Sequence, residues 1–297
     1  MSAVTVPDPT SPVGPATETK AAVRRELLRE ILRSKAFIIG AALVLFWVVC
    51  AIFRDFIIVY DPTDDNAYKQ HLRPLTEDYY LGTDRLGRDV FSRVISGARV
   101  ILEIAPAAVI LGTVVGVLLG LIMGYYRGLV DDILGRVIDA VMAIPVILVA
   151  LLTLVSLGPS TLTVITVIGL LFAPLIARTV RAAVLVERDL DYVRAARLRG
   201  ERSPYVMLVE ILPNVVGPII VEFTVRLGYA IFTLAGLSFL GFGSQPPSPD
   251  WGLMIAEERN FISAGVWWPS IFPAIAIATL VIGVILVADA IQAAFDR

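Results

Sequence analysis

Two residues of this 297-residue chain stand where charge is costly. Glu222 and Arg226 lie four apart inside an otherwise apolar run from about Val215 to Leu240, so on a helix they share a face. A carboxylate and a guanidinium there can line the path of a polar solute or form a buried structural pair. Both readings stay open, because the cost of charge in lipid explains the pairing but not its purpose. Chemistry-bearing residues are otherwise sparse. His71 is the only histidine and Cys50 the only cysteine, which gives no support to a zinc-protease motif, a Ser/His pair or an intrachain disulfide. Cys50 reads as a small core residue in an apolar run and His71 as part of a polar loop. Asp84 and Asp89 have no acid–base partner at recognisable spacing, and local pairing with Arg85 or Arg88 accounts for them. The chain has no Gly-x-x-x-x-Gly-Lys-Ser/Thr cradle, so no nucleotide site is expected. No catalytic residue, metal site or cofactor of its own is expected either.

The elements that would carry these residues follow from hydropathy. A hydrophobic share of 57% and a mean hydropathy of +0.79 exceed the roughly 45–50% apolar usage of soluble domains. The charged residues are segregated between long uncharged stretches, the pattern of a polytopic, all-α membrane protein in a lipid bilayer. A net charge of −2 gives no argument for nucleic acid. Residues 1–19 read as a disordered tail, and 20–60 as a basic arm with a first span over Ala36–Phe53. Residues 61–98 read as an external loop, and 99–297 as a five-helix core containing a polar segment at 185–213. The further spans are Ile101–Tyr126, two within Ile144–Ala177 separated by Leu157-Gly158-Pro159-Ser160, Val215–Leu240 and Ile271–Ala288. Six spans place both termini on one side. With the N-terminus cytoplasmic, 16 Lys and Arg fall inside and eight outside, as the positive-inside rule requires. Gly112, Gly116, Gly120, Gly124 and Gly128 recur every fourth residue, a stripe that lets another helix approach closely.

Between the fourth and fifth spans, Val186, Leu190, Val193, Ala196 and Gly200 fall on one helical face. Gly200 suits a left-handed C-cap. Ser203 suits an N-cap with Pro204 at the first helical position, and the short helix Tyr205–Leu212 is stopped by Pro213. The product is a two-helix elbow. By physics alone it is an amphipathic connector on the membrane surface.

The residues Asp191-Tyr192-Val193-Arg194-Ala195-Ala196, Gly200 and Ile211-Leu212-Pro213-Asn214 resemble the EAA loop of ABC-importer permeases. Arg194 stands where that consensus has Glu, and the Ile directly precedes Leu-Pro; both variants resemble the dipeptide and oligopeptide branch. Leu81-Gly82-Thr83-Asp84-Arg85-Leu86-Gly87-Arg88-Asp89-Val90 and Leu237-Ser238-Phe239-Leu240-Gly241-Phe242-Gly243 before Gln245-Pro246-Pro247 resemble the same branch, and its second, C-type permease in particular. The resemblance implies a type I ABC importer fold. It also implies a second permease, one or two ATPase subunits that bind ATP and Mg, and an extracytoplasmic solute-binding protein. Asp191, Tyr192, Val193, Arg194, Ala195, Ala196, Leu198, Gly200 and Pro204 would then couple this chain to the ATPase. The implied cargo is a dipeptide, an oligopeptide or a related small solute such as glutathione, a nickel chelate, an opine or a sugar. An ion-coupled secondary transporter using Glu222 and an intramembrane enzyme are the rival readings.

Overall fold

A computed structural model describes residues 29–76 and 78–295 of the chain; the expected tail at 1–19 and the start of the basic arm lie outside them. The described residues are helical apart from loops, turns and isolated bridges. The main helices are α1 (Lys35–Ile52), α2 (Val90–Tyr126), α3 (Gly128–Met142), α4 (Val146–Leu157), α5 (Thr161–Glu187), α6 (Asp191–Leu198), α7 (Val216–Phe239), α8 (Trp251–Glu258) and α9 (Trp268–Phe295). Five of them are long and apolar enough to cross a membrane, and a sixth crossing exists if α3 and α4 count as one bent span.

The third span departs from expectation. Instead of a straight helix from Ile144, α4 has 12 residues, about 18 Å at 1.5 Å per residue and short of a ~30 Å hydrocarbon core. The crossing is completed only by α3, which meets α4 at 83° across a break at residues 143–145. Pro145, with no N–H to donate, stands at that break, a position that ends the preceding helix.

The second and fourth spans are longer than hydropathy implied. α2 starts at Val90, so 90–98 is helix rather than loop. Asp89 caps it by accepting from the Ser92 N–H at 2.9 Å. α5 runs on past Ala177 to Glu187. Arg178 and Arg181 are tolerated in it because Asp139 and Asp131 of α3 neutralise them.

The glycine stripe does what its spacing requires. A Cβ at Gly112 would sit 2.6 Å from the Gly169 carbonyl oxygen; at Gly116 and Gly120 it would meet Ile176 and Val180 at 2.7 Å. The backbones of α2 and α5 therefore touch, with no room for a methyl group. Gly128 is not part of the stripe. Its φ of +58° turns the chain from α2 into α3, and a Cβ there would meet nothing within 4 Å. α1 packs along α9, where Gly40 faces the Gly283 carbonyl and the Trp47 indole donates to Thr279 at 3.0 Å. Cys50 is buried in this core.

Candidate functional site

The polar segment after α5 builds a compact elbow. The expected single helix through Val186 and Leu190 is broken: α5 ends at Glu187, and Leu190, in an extended conformation, precedes α6. Val186 and Leu190 are exposed, whereas Val193 and Ala196 are fully buried. Of the five residues expected on one face, those two anchor α6 to the core.

With Val193 and Ala196 turned inward, Asp191, Arg194, Ala195 and Leu198 point outward at steps of three, one and three residues. They form one solvent-facing helical surface. Leu198 is its apolar knob, 89% exposed. α6 ends as its sequence predicts. Gly200 has φ +79°, its N–H bonds the Arg197 carbonyl at 3.0 Å, and the Glu201 N–H reaches the Ala196 carbonyl at 3.3 Å. That pair of bonds is a Schellman cap. The second arm begins one residue earlier than expected, with Arg202 at the cap position and Pro204 inside the first turn. It continues as a wide π-type turn over Val206–Ile211 and a tight turn over Leu212–Asn214 that contains Pro213. Pro204, like Gly200, is exposed.

Polar bonds lock the elbow to the membrane helices. The Tyr192 hydroxyl donates to Glu187 at 2.6 Å and accepts from Asn214 at 3.1 Å. It thus joins the end of α5, the start of α6 and the entry to α7. Burial, then the Glu187 carboxylate, pushes its phenol up to about 12. The Arg188 guanidinium donates to the carbonyls of Tyr125 at 2.7 Å and Gly124 at 3.3 Å, at the C-terminus of α2. The Arg197 guanidinium lies 4.7 Å from the Tyr125 ring centroid. Arg199 reaches Glu210 at 3.0 Å across the elbow's inner angle.

Glu222 and Arg226 do pair, with Arg226 Nη2 2.5 Å and Nε 2.7 Å from Glu222 Oε1. Thr179 of α5 donates weakly to the other carboxylate oxygen at 3.4 Å. The two side chains are 12% and 18% exposed, so the pair is mostly withdrawn into the helix bundle, apart from the elbow.

A second charged assembly escaped the sequence reading. Asp84 and Arg88 pair at 2.6 Å as expected, but Arg88 also binds Glu257 of α8 at 2.9 Å. Glu258 accepts from the Arg85 N–H at 3.0 Å and lies 3.2 Å from His71. Arg93 donates to the carbonyls of Pro62 at 2.9 Å and Ser248 at 3.2 Å. Asp84, Arg88, Arg93 and Glu258 are all buried. Burial is the main reason that the Glu258 carboxyl is raised above the usual carboxylate range, with the Arg85 N–H and His71 opposing it. These bonds fasten the loop after α1 to the loop after α7. The only signal in the sequence was the adjacent pair Glu257-Glu258 next to an apolar segment. Among the described residues no group of three or more His, Cys, Asp or Glu side chains is placed to hold a metal ion.

Comparison with known proteins gives the same outline. Residues 116–297 match the family model described as binding-protein-dependent transport system inner membrane component, and residues 24–74 match that of the N-terminal transmembrane domain of oligopeptide transport permease C. The chain is 33% identical to the dipeptide transport system permease protein DppC of Alkalihalophilus pseudofirmus, over 98% of this chain and 95% of that one. It is 34% identical to the di/tripeptide transport system permease protein DppC of Pseudomonas aeruginosa, over 92% and 91%. The glutathione transport system permease protein GsiD of Pectobacterium atrosepticum is 35% identical, over 92% and 90%. The fold is similar to that of the inward-facing MetNI methionine ABC transporter, with a TM-score of 0.55 and 18% identity over 68% of this chain and 96% of that one. The chain therefore belongs to the family of inner membrane components of binding-protein-dependent transport systems, the permease subunits of ABC importers.

Proposed function

We propose that this permease carries peptides of a few residues into the cytoplasm, and that the elbow from Asp191 to Pro204 is its docking element for an ATPase subunit. The relatives named for dipeptides, tripeptides and glutathione support the cargo. The observation carrying the elbow assignment is the outward face of Asp191, Arg194, Ala195 and Leu198 on a helix whose other face and both ends are fixed. A rigid, exposed wedge fits a groove on a partner, and its displacement moves α2, α5 and α7 together. ATP and Mg would be held by the ATPases, one or two in kind, and hydrolysis would belong to them. A second permease completes the pathway and an extracytoplasmic binding protein delivers the solute. The elbow and both termini face the cytoplasm. The motion is alternating access between inward- and outward-open states. Glu222 bound to Arg226 is neutralised locally, which does not favour a proton-carrying secondary transporter.

The test is Gly200→Val. The position is open, since a Cβ meets nothing within 4 Å, but φ is +79°. The substitution therefore adds backbone strain of about 1–3 kcal/mol without a clash. The variant should insert normally, lose co-purifying ATPase and lose ATP-driven dipeptide uptake, while exposed Arg202→Gln does neither. Full ATPase binding and uptake by Gly200→Val would remove the elbow from the coupling role.

A further inference from the structure

We infer that a cavity between α3 and α5 is a transport subsite that reads the two opposite charges of a zwitterionic solute, an ammonium group and a carboxylate. The inference rests on the peptide reading above. The cavity holds about 470 Å³ and is lined by Asp131, Asp132, Arg136, Asp139, Arg178 and Arg181. Its α5 wall, Arg178 and Arg181, lies within the last three turns of α5 before Glu187.

Two observations put it on a solute path. First, Arg178 and Arg181 lie in the last three turns, at the cytoplasmic end in the topology above, of a helix apolar enough to span a membrane. Charges in such helices face protein or water-filled cavities and mark pathways. Second, α3 and α4 form the one bent span among the described residues, with a turn of 83°. Interrupted spans in transporters line the solute site, because freed backbone groups are tolerated only against protein or a cavity.

The charges then specify the ligand. Arg181 grips Asp131 through Nε at 2.5 Å and Nη2 at 2.6 Å, and Arg178 pairs with Asp139. Those four cancel and hold α3 against α5. Asp132 and Arg136 remain, both exposed at the cavity wall and neither hydrogen-bonded nor ion-paired to another described residue, although Asp132 also acts electrostatically on Arg181. They stand four apart on α3, which places their Cβ atoms about 5–6 Å from one another on one face. An acid and a base so placed complement an ammonium and a carboxylate that one small molecule carries a few ångströms apart, as a dipeptide does. Arg136 can take the carboxylate through two parallel N–H bonds.

The test uses the complete transporter in inside-out vesicles, with Gly135→Cys in a Cys50→Ala background. Gly135 lines the same cavity, and a Cβ there would meet only the Met123 methyl at 3.9 Å. The labelling rate with an impermeant maleimide is read without ATP or binding protein. Dialanine should slow labelling, and dialanine with an acetylated amine and amidated carboxyl should not. Adding Asp132→Asn or Arg136→Gln should raise the dialanine concentration for half-protection by about tenfold or more, the usual worth of a charge-assisted bond. Three results overturn the subsite: no protection by dialanine, equal protection by the blocked peptide, or a cysteine unreactive even without peptide because a neighbouring subunit covers it. Dialanine uptake by the same transporter supplied with binding protein is measured in parallel. Uptake without protection removes the subsite and leaves the peptide permease standing; absent uptake removes the peptide reading itself.

Discussion

At the scale of single residues, the Glu222–Arg226 pair is the place where one atom's change has the largest expected effect. Both groups are more than four-fifths buried and bound to each other at 2.5 Å. Removing one partner from a buried pair costs about 3–5 kcal/mol, mainly through the charge left behind, whereas removing both is far milder. Glu222→Gln should therefore lower the thermal unfolding midpoint of the purified subunit more than Glu222→Gln/Arg226→Gln does. If both variants are as stable as the parent and both fail to transport, the pair lies on the solute path and its structural role is minor. Glu258 makes a second residue-scale prediction, with a sign fixed by linkage. Its carboxyl is raised in the folded chain, so the native state holds that proton more tightly than the unfolded one. The resulting stabilisation is full below the ordinary carboxylate value and is lost as pH rises through the raised value. The loops that it joins should resist limited proteolysis better at mildly acidic than at neutral pH, and Glu258→Gln should flatten that dependence. A parent protein equally resistant at both pH values would remove Glu258 as the cause.

At the scale of elements, glycine spacing was legible because close helix contact needs small residues at fixed intervals, and that signal survives in one dimension. Gly120→Leu should prevent α2 from seating on α5, since even a Cβ lies 2.7 Å from Val180 and 2.8 Å from the Ala177 carbonyl. Gly135→Ala, with only Met123 nearby, should be neutral or stabilising by up to about 1 kcal/mol from helix propensity. Thermal unfolding of the two variants reads the contrast, and equal effects would mean that the stripe does not carry the α2–α5 contact. The elbow's cap was legible for a similar reason, as Gly200 answers a local backbone demand. The break in the third span was not, because the charges of α3 (Asp131, Asp132, Arg136 and Asp139) read as a polar loop until the arginines of α5 that meet two of them are known. The charges of Asp131 and Asp139 are neutralised by arginines about 50 and 39 residues away. The extension of α2 to Val90 was hidden likewise. Arg93 looks like a loop residue until the carbonyls that receive it are located.

At the scale of the whole molecule, the alternation of apolar runs and basic loops sufficed for five spans, and for the expected six-crossing path if α3 and α4 count as one, because lipid imposes the same demand on every span. The cluster joining Asp84, Arg88 and Glu257 depends on contacts across about 170 residues, which no local pattern announces. The path makes a direct prediction. Cysteines placed singly at Asn66 and Glu201, in the Cys50→Ala background, should react with an impermeant reagent from opposite faces of the membrane. Reaction of both from the same face would refute the six-crossing arrangement.

The length of α2 has a mechanical corollary. Its 37 residues extend about 56 Å, nearly twice the hydrocarbon thickness. Both ends are pinned, the N-terminal one by Arg93 to the carbonyls of Pro62 and Ser248, the C-terminal one by Arg188 to its own last carbonyls. A helix clamped at each extremity, even one that Pro106 can bend, passes a tilt at one end toward the other. A displacement of the elbow, in the docking role proposed above, would thus be felt at the opposite end of α2 as a tilt of the fastened loops, with no relay of side chains needed through the apolar middle.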